Sequence, residues 1–496
     1  MTDTPGALLP NPAPSAGPGR PAGADGPVGA DGPGARNRRD AVRRAAPLLP
    51  VLAVVALLAV PVTGPAGDGA AGSGTPADAA SALLVVFCLL RAVRERARPL
   101  TRTAALVLGL PVFGVCVAAI TAADAHAALP GLARYLQVFV LVPGSLLLLL
   151  RDRRDFRLVT WAVVAGALAQ GAVGTVQYVT GTGASYMGED VRAVGTFGPT
   201  DVMGMATVVS YGLVAAVGLA LGVGAHGTGA ARGAARRQRA AALGCAALLS
   251  VPLVLSFSRG AWIATAVAVT LQLALSGLRR AARVALVAAA LGTVLVGGLG
   301  VGSQLVTERL DSITEVTGTP DRSVTDRYTM WAAAAGMWRT DPVTGVGLKG
   351  FPAHRDTHSS LALSSGSDTA GAGRSFERRP LLSPHNMYLL VLSEQGLLGL
   401  LALTGSWGAL LVLTLRRLRA ARPGPTRGST GTDCGLVAAG LLVWQLVDFG
   451  YADIGGPSTV QTAVVLGLAA WWALSRTAPG GTAPGPAAVR REAGAV

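Results

Sequence analysis

Three ionisable residues stand out because their types and positions suit chemistry at a membrane surface. His385 lies in Pro384-His385-Asn386-Met387-Tyr388, where a polar segment runs back into an apolar one. Imidazole titrates near neutrality, so it can take a proton from a hydroxyl at little energetic cost. A histidine hydrogen-bonded only for structure is the rival reading. Arg259, in Phe257-Ser258-Arg259-Gly260, falls in the tight connection between two apolar runs. An arginine at that depth is costly without a partner, and its plainer role is snorkelling to lipid phosphates. Arg327 opens a stretch with helical spacing four residues before Trp331, so the two side chains share a face. Two arginines from separate elements can hold a pyrophosphate bidentately, because the planar guanidinium matches phosphate oxygens. An exposed pair with Asp326, or a cation–π contact, is the alternative.

Two weaker features accompany them. Gly345 and Gly347, in Thr344-Gly345-Val346-Gly347-Leu348, either make a plain turn or let backbone N–H groups approach a phosphate. His354 and His358 would share a helix face and could hold a metal, but no acidic ligand pattern accompanies them and Pro352 precedes them. No metal site is expected. The four cysteines, Cys88, Cys116, Cys245 and Cys434, sit in or beside apolar stretches without metal spacing and read as small packing residues.

The elements that must position these residues follow from composition. Of 496 residues, 51% are hydrophobic and only 14% charged, where a soluble enzyme carries about a quarter. The net charge of +15 is shared with nucleic-acid-binding proteins, but the long apolar runs are not, so no nucleic-acid partner is expected. Twelve apolar segments, at about 45–62, 79–92, 103–121, 132–150, 158–178, 201–224, 241–257, 261–277, 284–302, 397–415, 433–449 and 458–475, approach the roughly 20 residues that span a bilayer. In hydrocarbon they must satisfy their backbone groups internally, so they are expected to be α-helices. The fold class is therefore all-α and polytopic, with about twelve spans and one large outer loop containing a short helix.

Arginine placement predicts the orientation. With the N-terminus in the cytoplasm, 30 of the 42 basic residues fall inside, clustered at 91–102, 151–157, 232–239, 279–283 and 416–427 and in both tails, as the positive-inside rule requires. The predicted organisation is a disordered basic tail over 1–44, spans one to nine over 45–302, an outer loop over 303–384, a re-entry segment and spans ten to twelve over 385–475, and a second cytoplasmic tail over 476–496. Within the outer loop, Thr325 to Arg339 reads as a helix with Trp331, Ala334 and Trp338 on one face, stopped by Asp341-Pro342. The loop carries nine basic and nine acidic residues, so any anion site must rest on particular arginines.

The order of these motifs carries a resemblance. Asp326-Arg327-Tyr328 to Trp331, then Asp341-Pro342 with Gly345-Val346-Gly347 to Phe351, then His385-Asn386 to Glu394-Gln395-Gly396-Leu397-Leu398-Gly399, resembles the signature region of the O-antigen ligase and O-antigen polymerase superfamily. Ser258-Arg259-Gly260 agrees, as does Arg192-Ala193-Val194-Gly195-Thr196-Phe197-Gly198-Pro199, where Gly198 replaces the family's usual Asn. Together the motifs cover about residues 190–400.

The resemblance implies a metal-independent, cofactor-free glycosyltransferase of GT-C type in the cytoplasmic membrane. It would move a glycan from a polyprenyl-pyrophosphate donor to an acceptor hydroxyl of a glycan or other cell-envelope molecule, at the outer face. Arg259 and Arg327 would bind the pyrophosphate, with Arg192 as a further anion ligand, and His385 would activate the acceptor. No Asp-x-Asp motif occurs in the chain, in keeping with arginines taking the place of a divalent cation. The rival class is a polytopic transporter. Transporters, however, tend to place broken helices and polar residues at the bilayer midplane, whereas the ionisable candidates here cluster at one surface and in one asymmetric loop.

Overall fold

The computed structural model describes residues 45–476 except 62–73, 96–99, 187–189, 202, 223–229, 278–281, 283–285, 287–321, 361–362, 364–366, 371–376, 380 and 422–431. The chain divides between Ala46 and Pro47, and residues 47–496 carry every element below.

Thirteen helices are described: α1 (Leu49–Leu57), α2 (Pro76–Glu95), α3 (Arg102–Ile120), α4 (Ala125–Leu149), α5 (Arg153–Thr180), α6 (Gly204–Gly222), α7 (Ala230–Leu255), α8 (Arg259–Ser276), α9 (Arg322–Thr340), α10 (Phe351–His358), α11 (Met387–Ala420), α12 (Thr432–Asp448) and α13 (Thr459–Leu474). Eight of them, α2 to α8 and α11, are long and apolar enough to cross a membrane, so the protein is polytopic and helical as expected. The shorter α1, α12 and α13 coincide with three further expected spans. The ninth expected span, 284–302, lies outside the described residues except for Leu286, as do the N-terminal tail over 1–44 and most of the C-terminal one.

The apolar runs explain the packing. In lipid, helices associate through close van der Waals contact and a few polar bonds rather than through hydrophobic exclusion, which favours small residues at crossings. Helix α6 is almost wholly buried, with α5, α7, α8 and α12 against it, while α13 packs on α4 and α12. At the α6–α12 crossing, a Cβ on Gly222 would fall 2.1 Å from the Cα of Asp433, so only glycine permits that approach. Polar bonds join the same layers. The Tyr211 hydroxyl bonds Gln445 and Thr462, and Trp444 Nε1 donates to Thr265 at 2.9 Å.

A small antiparallel sheet was not foreseen from the sequence. Strands β1 (Ala184–Tyr186), β2 (Asp190–Arg192), β3 (Ser367–Ala370) and β4 (Glu377–Arg379) lie in the order β2-β1-β3-β4, with Ser185 opposite Ala370 and Tyr186 opposite Thr369. It ties the connection after α5 to the segment between α10 and α11. Too few residues alternate in these strands for a period-2 pattern to show.

Candidate active site

The expected short helix forms as α9, and it ends at Thr340, ahead of Asp341-Pro342. Trp331 does more than mark an interface. Its Nε1 donates to the carbonyl of Pro384 at 2.9 Å, fastening α9 to the connection that carries His385. Tyr328 meets the Trp331 ring edge-to-face at 5.6 Å. Arg327, on the same helix, lies near enough to His385 for its charge to act on the imidazole.

His385 adopts φ +48°, a left-handed backbone that side chains rarely occupy. Such outliers persist only where the surroundings impose them, and here they do. The Ser383 hydroxyl accepts from the His385 N–H and donates to the Asp453 carboxylate. Asn386 caps α11 by accepting from Leu389 N–H and donates to Gly450 O, while the Met387 N–H is shared by the carbonyls of Phe449 and Ala452. The imidazole is thereby held against the α12–α13 connection, where its Nδ1 lies 3.8 Å from Asp453 Oδ2. The side chain keeps 45% of its surface accessible. Its pKa is lowered, chiefly because the surrounding protein strips water from the charged ring; Asp453 opposes that shift and the charge of Arg327 adds to it. A neutral imidazole at pH 7 is the form that can accept a proton.

The connection holding Asp453 is itself fixed from two sides. Arg134, on α4, donates to Gly456 O at 2.7 Å and pairs with Asp78. The Asp201 carboxylate accepts from Ser458 N–H at 2.9 Å. Burial raises the pKa of Asp201, which Ser458 and Arg134 oppose.

Arg259 begins α8, whose N-cap Ser258 accepts from Ala261 N–H at 3.3 Å. Its neighbour Gly260 faces Tyr451 across a gap that a Cβ would reduce to 3.3 Å, so Arg259 starts its helix beside the connection that carries Asp453. Arg192 ends β2; the following Ala193 donates to Leu255 O, the last residue of α7, and Arg192 itself contacts the Met203 sulfur at 3.9 Å. Two glutamines of α5 hold the next turn. Gln177 brackets Gly195, accepting from its N–H and donating to its carbonyl, and Gln170 accepts from Thr196 N–H. All four sequence-identified residues therefore belong to elements that meet around one end of the bundle.

Gly345 and Gly347 have a different task. The Gly345 N–H donates to Asp341 O, and the Gly347 N–H to Glu394 O at 3.1 Å, so the expected backbone anion contact is corrected: these donors are committed to protein carbonyls. Their φ values of +70° and +91° let the 342–347 turn lie against α11, where a Cβ on Gly345 would sit 2.6 Å from the Ser393 carbonyl oxygen. There α11 is broken at Gly396, φ +63°. The N–H groups of Leu397 and Leu398 bond Pro342 O and Val343 O, and the carbonyls of Ser393 and Glu394 accept from Val346 and Gly347. Four bonds from the turn replace those that an unbroken helix would make. His354 and His358 do share a helix, α10, and both bond within it: each Nδ1 lies 3.0 Å from the carbonyl four residues earlier.

Asp453 was the residue missed by sequence reasoning. It is the only charged residue between Phe449 and Ser475, and a lone acid in a short connection between two apolar runs was the available signal.

Residues 244–404 match the family described as O-antigen ligase. The match, over about a third of the chain, supports the O-antigen ligase superfamily. The matched span includes Arg259, Arg327 and His385, whereas Arg192 and Asp453 lie outside it. No curated protein matches the chain. The match supports an O-antigen ligase or polymerase-like role in polysaccharide biosynthesis, in a chain with eight helices long and apolar enough to cross a membrane.

Proposed function

We propose that this O-antigen ligase-like protein transfers a glycan from a polyprenyl-pyrophosphate donor to an acceptor hydroxyl at the outer face of the cytoplasmic membrane, without a metal ion. The observation that carries the reading is the His385–Asp453 pair beside Arg327, with His385 and Arg327 inside the span that matches this superfamily. Asp453 faces Nδ1 and leaves Nε2 for the acceptor. Nε2 takes the hydroxyl proton as the oxygen attacks the anomeric carbon. The bond from that carbon to the pyrophosphate oxygen breaks, and its electron pair leaves with the pyrophosphate. Attack from the side opposite the leaving group inverts the anomeric centre. Arg259 and Arg327 hold the departing anion and stabilise the charge it gains, and Arg192 adds to that field.

The outer-face orientation is supported by the arginine distribution. Purified protein supplied with a synthetic polyprenyl-pyrophosphate glycan and a glycan acceptor should form a new glycosidic bond in the presence of a metal chelator. Failure to consume the donor, or an absolute need for added divalent cation, would overturn the reading. Envelope polysaccharide from a deletion strain then distinguishes the two acceptors: single repeat units accumulating on lipid mark a polymerase, and full-length polymer stranded on lipid marks a ligase.

A further inference from the structure

A cleft of about 210 Å³ opens at the other end of the bundle, between the N-terminus of α3 and the C-termini of α4 and α13. Its separation from the opposite end follows from α3. The far end of that helix runs to Thr121, against Gly347, whereas the cleft begins near Thr101, so the 19 residues between set the cleft roughly 28 Å from the 342–347 turn.

The lining is divided by polarity. Leu147, Leu474 and Trp471 are buried and form an apolar wall, and the Trp471 indole is pinned by its bond to Leu150 O at 2.7 Å. Arg151 and Arg476 stand at the rim, Arg476 exposed and the Arg151 side chain 41% accessible. Arg151 is held in place by Asp155 at 2.9 Å, which offsets part of its charge. With Arg151 paired in this way, it is Arg476 that gives the rim its positive charge, and no acidic residue lines the cleft itself among the described residues. Arg417 braces the same corner by donating to Trp472 O at 2.7 Å and to Ser475.

A cationic rim over an apolar wall, at the end of a membrane-spanning bundle, matches a molecule with an anionic head and hydrocarbon below it. We propose that this cleft binds the headgroup of an anionic phospholipid. The site is independent of the glycan-transfer reading.

Trp471 provides the readout. The full chain is reconstituted in phosphatidylcholine vesicles containing a minor fraction of either phosphatidylglycerol or phosphatidylcholine brominated near the glycerol end of the acyl chain, and tryptophan fluorescence is recorded. Brominated phosphatidylglycerol should quench more than brominated phosphatidylcholine, and the excess should vanish in Trp471→Phe. In Arg476→Ala the lipid concentration giving half the excess should rise about fivefold, the effect of losing one surface arginine. Equal quenching by the two lipids, or an excess unchanged in Arg476→Ala, would overturn the proposal. Loss of the excess on adding millimolar inorganic phosphate at constant ionic strength would overturn it too, by assigning the cleft to free phosphate.

Discussion

His385 Nδ1 and Asp453 Oδ2 lie 3.8 Å apart across two separate connections of the bundle, within ion-pair range and longer than a hydrogen bond. Ser383 spans the gap, accepting from the His385 backbone and donating to the Asp453 carboxylate. The carboxylate is thus placed to orient the ring and to stabilise the imidazolium once a proton arrives, while the hydroxyl keeps the histidine backbone in its unusual conformation.

If His385 is the general base, His385→Ala should insert and fold normally, because the side chain stays nearly half accessible. Turnover per folded molecule should fall by about 10² to 10⁴ with donor binding retained. Transfer from a synthetic donor, normalised to monodisperse protein, measures this. A loss under about threefold would remove His385 from that role.

The two charges beside His385 should move the pH profile in opposite directions. Because burial and Arg327 lower its pKa while Asp453 raises it, activity should be lost on acidification only below the ordinary imidazole value of about 6.5. In Arg327→Gln the histidine loses a repelling positive charge, its pKa rises, and the acidic limb shifts to higher pH. Asp453→Asn removes the carboxylate that favours the imidazolium, so its limb shifts to lower pH. Rate–pH curves under saturating donor test both signs, and limbs that move together would refute the assignment.

Arg259 and Arg327 should tolerate lysine poorly. Lysine keeps the charge but loses the planar fork that binds two oxygens at once, so each Arg→Lys variant should lose about tenfold or more in transfer, the scale of one charge-assisted hydrogen bond. Full activity in both variants at equal abundance would argue against pyrophosphate binding there.

Orientation is open to direct labelling. Single cysteines introduced at 359–375 should react with an impermeant reagent in intact cells, and those at 232–239 only after lysis. The reverse pattern would move the candidate site to the cytoplasmic face.

Much of the helical scaffold was legible because a membrane helix must satisfy its own backbone and so writes itself as a long apolar run. Arg327, His385 and Arg259 were legible for the complementary reason: a polar group beside such a run needs a purpose. The sheet was not, since strands of three or four residues leave no periodicity. Asp453 escaped notice because its partner sits on another connection, and only folding shows that Asn386 and Met387 bond Gly450, Phe449 and Ala452. For Gly345 and Gly347 the sequence left a plain turn and an anion contact both open, because a glycine pattern reveals an open conformation and not what the freed N–H groups will bond.

The turn at 342–347 and the break at Gly396 make two distant stretches into one hydrogen-bonded splice. Such a splice has a register. Changes of length in a plain connecting segment cost only loop-closure entropy, which grows slowly. One residue added or removed between Val343 and Gly347, or between Ser393 and Leu398, would instead put the four bonds out of step and leave amides and carbonyls unpaired inside the bundle. Natural and engineered variation in chain length should therefore collect on either side of this splice and leave its two strands the same length.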